Sequence, residues 1–227
     1  MPLFGRVHLS LLLGIAAAAA LLSALCRRGR ISGRTVRLAL GFGLAGNELM
    51  WWVFRYSHEG LHIWNLPLQL CDLTVWAAVL ACLQPVAWIV EFAYLAGMAG
   101  AGMALLTPDL WSPWPSYPAI YFFVAHGGIV VAAAVLVFGG AAHPGIRPPW
   151  LAFGLLVAYA AAIGGFDAIT GTNYMYLCRK PRNASLLDAF GPWPIYLAGG
   201  VASALALFWL LWLPMRATAR RLPGGGG

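Results

Sequence analysis

The sequence predicts an all-α fold: a polytopic membrane protein built as a bundle of seven transmembrane helices. Three observations lead there. Of 227 residues, 61% are hydrophobic and only 9% are charged, a balance outside the range of water-soluble domains. The apolar residues form long runs instead of alternating with polar ones. Stretches rich in Pro, Gly or Arg cut those runs into pieces of about 20 residues, the length that crosses a bilayer as a helix.

Taken in order, the spans are 7–26, 36–55, 66–84, 86–106, 119–139, 150–170 and 192–213. The first ends on RRGRISGR at 27–34. Its apolar run from Leu9 to Leu25 is long for a cleaved leader, and Leu25 stands where a lipoprotein signal needs a small residue before Cys26, so a retained helix is expected. The other breaks are YSHEGLHIWN at 56–65, Pro85, TPDLWSPWPSYP at 107–118, HPGIRPP at 143–149, and the stretch from Gly171 to Gly191. Residues 1–222 then form a single seven-helix domain, and 223–227 is a disordered glycine tail.

The formal charge of +7 comes from 14 basic against 7 acidic residues, with most arginines in loops and at the C-terminus. That arrangement is a topology signal and argues against nucleic-acid binding. Placing the loop after span 1 in the cytoplasm puts Arg27, Arg28, Arg30, Arg34, Arg37, Arg147, Arg216, Arg220 and Arg221 inside, against Arg6, Arg55, Arg179, Lys180 and Arg182 outside. The expected protein therefore lies in the cell membrane, multi-pass, with its N-terminus outside and its C-terminus cytoplasmic. The outer CRKPR loop runs against this bias. Either the bias tolerates three exceptions, or Arg179, Lys180 and Arg182 meet phosphate headgroups or an anionic substrate.

With this topology the intramembrane polar residues fall in one layer. Glu48 lies in the outer half of span 2, Gln69, Cys71 and Asp72 in the first turns of span 3, His126 two turns into span 5, and Asp167 near the outer end of span 6. Glu91, in the inner half of span 4, stands apart. An ionised carboxylate at mid-membrane costs about 3 kcal/mol on insertion scales, so several at one depth are expected to meet each other or water. The prediction is that Glu48, Asp72, His126 and Asp167 face a shared outer-leaflet cavity.

The stretch LPLQLCDL at 66–73 is the most pointed. Pro67 has no amide hydrogen to leave unpaired at a helix start. Gln69 and Asp72 share a helical face, and Cys71 is turned about 100° from Asp72. If His126 approaches from span 5, the two make a Cys and His pair, the minimum for nucleophilic thiol chemistry. The structural reading competes: Cys71 packs, His126 beside Gly127 and Gly128 bonds across a close helix contact, and the carboxylates bond to neighbours. His58 and His62, four apart, lack a thiol or carboxylate fixed beside them, so no metal site is expected. There is no phosphate-binding glycine loop, zinc-protease helix or serine elbow, and no cofactor is expected.

Together, LPLQLCDL, the His126-Gly127 pair, and GTNYMYLCRKP followed by SLLDAFGPWPIY resemble the YwaF-type family of bacterial multi-helix membrane proteins over about Trp51 to Tyr196. That family is similar in turn to the eukaryotic transmembrane protein 164 family, whose members are acyltransferases building polyunsaturated ether phospholipids. The resemblance implies a cysteine in a Pro-Leu-His-Leu-Cys setting as acyl carrier. The matching residues are Pro67, Leu68, Gln69, Leu70 and Cys71, with Gln69 where the histidine stands.

Two functions compete. In the first, a membrane-bound O-acyltransferase acts on phospholipid and lysophospholipid: Cys71 is the nucleophile, His126 and Asp72 serve the proton, and Glu48, Gln69, Asp167, Asn173, Arg179, Lys180 and Arg182 line the substrate. In the second, a transporter, proton-coupled or not, carries a small solute or lipid, and Cys71 only packs. Membrane lipids are the expected partners. The outer segment from Asn173 to Trp193, with Ser185, Asp188 and a rigid GPWP start to the last helix, is expected to fold over the cavity mouth.

Overall fold

A computed structural model describes residues 2–110, 112–145, 148–181 and 186–220. Seven α-helices and no strand are found among the described residues: α1 Arg6–Arg27, α2 Gly33–Glu59, α3 Leu70–Leu83, α4 Ala87–Leu106, α5 Tyr117–Val137, α6 Trp150–Thr170 and α7 Ile195–Ala219, with 3₁₀ turns at Tyr174–Tyr176 and Leu186–Phe190. Arg147, Arg182, Ser185, Arg221 and the glycine tail lie outside the described residues.

Five helices, α1, α4, α5, α6 and α7, are long and apolar enough to cross a membrane. The fold is all-α and membrane-spanning. α2 has the length, at 27 residues, but interrupts its apolar face with Arg34, Arg37, Glu48 and Arg55. α3 is apolar but has only 14 residues, about 21 Å of helix against a hydrocarbon core of about 30 Å.

α5 is the central helix. Most of it is buried, and α1, α2, α3 and α4 all pack on it. Small residues set the close approaches. Gly41 of α2 sits where an added Cβ would come 2.9 Å from the Cβ of Cys82 on α3, so only glycine lets these helices close to this distance. α3, α4 and α5 share a core of alanine, valine and leucine, with Ala81, Cys82, Val90, Ala132 and Val137 fully enclosed. α6 and α7 close the other side of α4, joined to it through Tyr94, whose hydroxyl donates to Leu211 O at 3.2 Å. Their outward faces, with Ile169 86% exposed, suit contact with lipid.

Several boundaries differ from the sequence prediction, and three bear on the site. α2 runs four residues further, to Glu59, and stops where Gly60 adopts a positive φ of 73° and donates its N–H to Tyr56 O. α3 begins at Leu70, not at 66. Gln69 is its extended N-cap residue, so Pro67 lies in the bent, non-helical approach instead of in the first turn. α7 begins at Ile195, with Pro194 as its N-cap, one position ahead of the helical place expected for it.

Candidate functional site

Of the residues singled out by sequence, Gln69, Asp72, Asp167 and Asn173 are joined through one hydrogen-bonded region, where α3 begins and α6 hands over to the Asn173 segment. The approach to α3 is non-helical backbone beside membrane spans, and such backbone needs partners within the protein. It has them. Tyr159 of α6 donates to Leu68 O at 3.1 Å. Tyr174 donates from its hydroxyl to Ile63 O at 2.7 Å and accepts from Leu66 N at 2.8 Å. Asp72, in the first turn of α3, accepts the Gln69 N–H at 2.8 Å, the arrangement that closes a helix N-terminus.

The segment 172–178 forms a strap over this approach. Asp167 Oδ1, at the end of α6, accepts from the Thr172 hydroxyl at 2.6 Å and the Tyr174 N–H at 3.0 Å. Asn173 Oδ1 accepts from the N–H groups of Cys178 and Arg179, and its Nδ2 donates to Arg179 O, turning the chain back on itself. Gln69 Oε1 accepts the Met175 N–H at 2.8 Å. Tyr196 donates to Tyr176 O at 2.5 Å and Trp193 Nε1 to Leu177 O at 3.2 Å. Met175 and Tyr176 are left-handed, with φ of 53° and 57°. Residues with a Cβ adopt that conformation at a cost of about 1–3 kcal/mol each, so this ring of bonds holds the strap against its local preference.

Cys71, two residues after Gln69 in the first turn of α3, is half-buried. It lies within electrostatic reach of Glu48 and Asp72, and of the hydroxyls of Tyr121, Tyr159 and Tyr176. Glu48 is fully enclosed and accepts from Tyr121 OH at 2.7 Å through Oε2, a link between α2 and α5. Its Oε1, with the Trp52 side chain near the carboxyl, and the Asp167 Oδ2 are buried and make no hydrogen bond of ordinary geometry. Arg55 acts on Asp72 electrostatically while bonding Glu59 at 3.2 Å.

His126 is placed differently. Buried on α5, it bonds through Nδ1 to Phe122 O at 2.8 Å and rests on the Phe122 ring. A carbonyl only accepts, so in the neutral ring Nδ1 carries the hydrogen and Nε2 is the bare nitrogen. Among the described residues no hydrogen bond joins His126 to Cys71. Arg179 is exposed, and Lys180 pairs with Asp188 at 3.5 Å and lies over the Tyr196 ring. A separate, open apolar groove of about 470 Å³ is lined by Leu49, Met50, Val53, Phe54 and Tyr117, and none of the polar residues chosen from sequence lines it.

The sequence profile of the TMEM164 family matches residues 3–213. The chain belongs to the TMEM164 family. No curated protein and no solved structure matches it significantly. For this TMEM164-family chain the match takes in every site element, from the α3 approach to the strap.

Sequence reasoning missed the tyrosines. The hydroxyls of Tyr174 and Tyr196 tie loop backbone. Tyr121 carried no signal, because its partner Glu48 lies 73 positions away. Gln69, Asp167 and Asn173, chosen as substrate contacts, hydrogen-bond the strap, a use legible only once the strap is folded.

Proposed function

We propose that this TMEM164-family protein is a membrane-bound O-acyltransferase that moves an acyl group between phospholipids through a thioester on Cys71. The observation that carries the reading is the position of Cys71: a half-buried thiol in the first turn of a short membrane helix, two residues after the Gln69 that bonds the strap and within electrostatic reach of Glu48, Asp72 and Tyr121. The Cys71 sulfur attacks the acyl ester carbonyl, the ester C–O bond breaks, and the lysophospholipid leaves with the thiol proton. An acceptor lysophospholipid hydroxyl then attacks the thioester, its proton returns to sulfur, and the new ester departs. His126 Nε2 is the proton acceptor and donor in this scheme, reaching Cys71 when substrate fills the site. Arg179, Lys180 and Arg182 take the headgroup phosphate. Seven spans, with α2 and α3 completing the five apolar helices, and an outside N-terminus fit the arginine distribution.

The test is reconstituted protein given a labelled phospholipid and an unlabelled lysophospholipid acceptor. Transfer of label that disappears in Cys71→Ser supports the reading. Full transfer in Cys71→Ala overturns it and leaves Cys71 as a packing residue.

The second reading is a transporter, favoured by the enclosed Glu48, one oxygen of which makes no hydrogen bond of ordinary geometry, next to Asp72. An Asp72→Asn protein that loses uptake of a solute in vesicles, together with a Cys71→Ala protein that keeps it, would replace the acyltransferase.

A further inference from the structure

We propose that Gln69 is the latch of the strap: its Oε1, by holding the Met175 N–H, keeps residues 173–178 closed over Cys71 and so controls access to the thiol. Three observations converge. Gln69 stands two residues before Cys71 as the N-cap of α3, where it and Asp72 form a reciprocal capping box, so its backbone is fixed and its side chain joins the start of α3 to the strap. That side chain makes a bond 106 positions along the chain, to Met175 N at 2.8 Å. The residue it holds is the first of two left-handed non-glycine residues, Met175 and Tyr176, and Tyr176 is the strap residue within electrostatic reach of Cys71.

A backbone held in an unfavourable conformation springs back when its restraint is lost. The other fastenings sit to either side. Tyr174 is bound to Ile63 O and Leu66 N, and Tyr196 holds Tyr176 O, so Met175 lies between these fastenings, with its side chain against the bundle core and its N–H held by Gln69. Gln69 is therefore a positioning residue. It acts on Cys71 through the strap and takes no proton in the reaction. This also gives position 69 a job that an amide oxygen fills without any acid or base chemistry. The consequence for catalysis rests on the acyltransferase reading above, but the latch itself does not, because its test reads thiol access and needs no turnover.

The test uses the full chain in nanodiscs with Cys26, Cys82 and Cys178 changed to Ser, leaving Cys71 as the only thiol, and follows its alkylation by N-ethylmaleimide. Gln69→Met keeps the length of the side chain and removes the acceptor. If labelling follows the open fraction of the strap, losing one net hydrogen bond raises the rate about 2- to 10-fold. Gln69→Glu restores an acceptor oxygen and should return the rate to within about 2-fold of the parent. Loosening of the whole fold is told apart by a parallel chain that keeps only Cys82, enclosed at the far end of α3, whose rate should not change with Gln69→Met. If Gln69→Met does not fold, Tyr174→Phe carries the same expectation from the neighbouring fastening. Unchanged Cys71 labelling in the folded variant, or equal acceleration at Cys82, overturns the proposal.

Discussion

The two ends of α3 are held by opposite means. Its C-terminal half lies in a dry core, where Ala78, Ala81 and Cys82 meet α4 and α5 and Gly41 lets α2 close in. The polar atoms there are the last carbonyls, Cys82 O and Leu83 O, which Arg37 of α2 covers. Its N-terminal end is held by directed bonds from Gln69, Asp72, Tyr159 and Tyr174. Packing among small apolar residues gives rigidity without chemistry, while the hydrogen-bonded end orders a polar neighbourhood around a thiol. A short helix allows both, because it leaves room at one end for non-helical backbone that protein side chains satisfy.

The largest expected effect breaks the polar end outright. Cys71→Ala should lower acyl transfer by about a thousand-fold or more, His126→Ala should do nearly as much, and the double variant should be little worse than either, as for groups acting as a unit. Both proteins should elute and melt like the parent. A His126→Ala protein with full transfer would leave the proton to another group.

Next comes the dry end. Gly41→Leu forces a side chain onto Cys82 and should destabilise the protein by about 1–3 kcal/mol, read as a lower thermal midpoint in detergent, while transfer per folded molecule is kept. Loss of transfer without loss of stability would mean that the two ends are coupled, against the comparison.

Tyr121→Phe tests the joint between them. It strips Glu48 Oε2 of its Tyr121 partner in a carboxylate whose other oxygen makes no hydrogen bond of ordinary geometry, and should cost about 1–3 kcal/mol. Replacing both with Tyr121→Phe and Glu48→Gln should recover part of that loss, since an amide tolerates the site uncharged.

The smallest effect belongs at the surface. Lys180 pairs with a half-exposed Asp188, so Lys180→Gln should change stability by less than about 0.5 kcal/mol. If Lys180 meets the headgroup, the same change should raise the apparent KM for an anionic phospholipid several-fold with kcat unaffected. A KM that does not move would remove it from the substrate contacts.

How much of this was legible in the sequence follows the same division. Apolar runs mark five spans and the α3 core, because burial in lipid or among alanines depends on composition and spacing, which a sequence displays directly. The start of α3 was misplaced by four residues because Leu66–Leu68 is as apolar as the helix that follows. What stops the helix at Leu70 is the long-range bonding of the Leu66, Leu68 and Gln69 groups to Tyr174, Tyr159 and Met175. Cys71, Asp72 and Glu48 were grouped by depth and do lie within electrostatic reach of one another. The hydrogen bond of His126 to Phe122 O, four residues back on its own helix, was not foreseen, since helical register alone does not choose between a local carbonyl and a partner across the bundle. Asp167 and Asn173 drew attention as polar residues near an interface, and their neighbours Thr172 and Tyr174, which they bond or sit beside, gave no sign of the strap they build.

The most direct measurement is the mass of the intact protein after brief incubation with a phospholipid donor and no acceptor. The account expects an added acyl group that maps to the peptide bearing Cys71, is released by neutral hydroxylamine as a thioester should be, and is absent from Cys71→Ser. Transfer that proceeds with no adduct on Cys71, or an adduct that persists in Cys71→Ser, would contradict it.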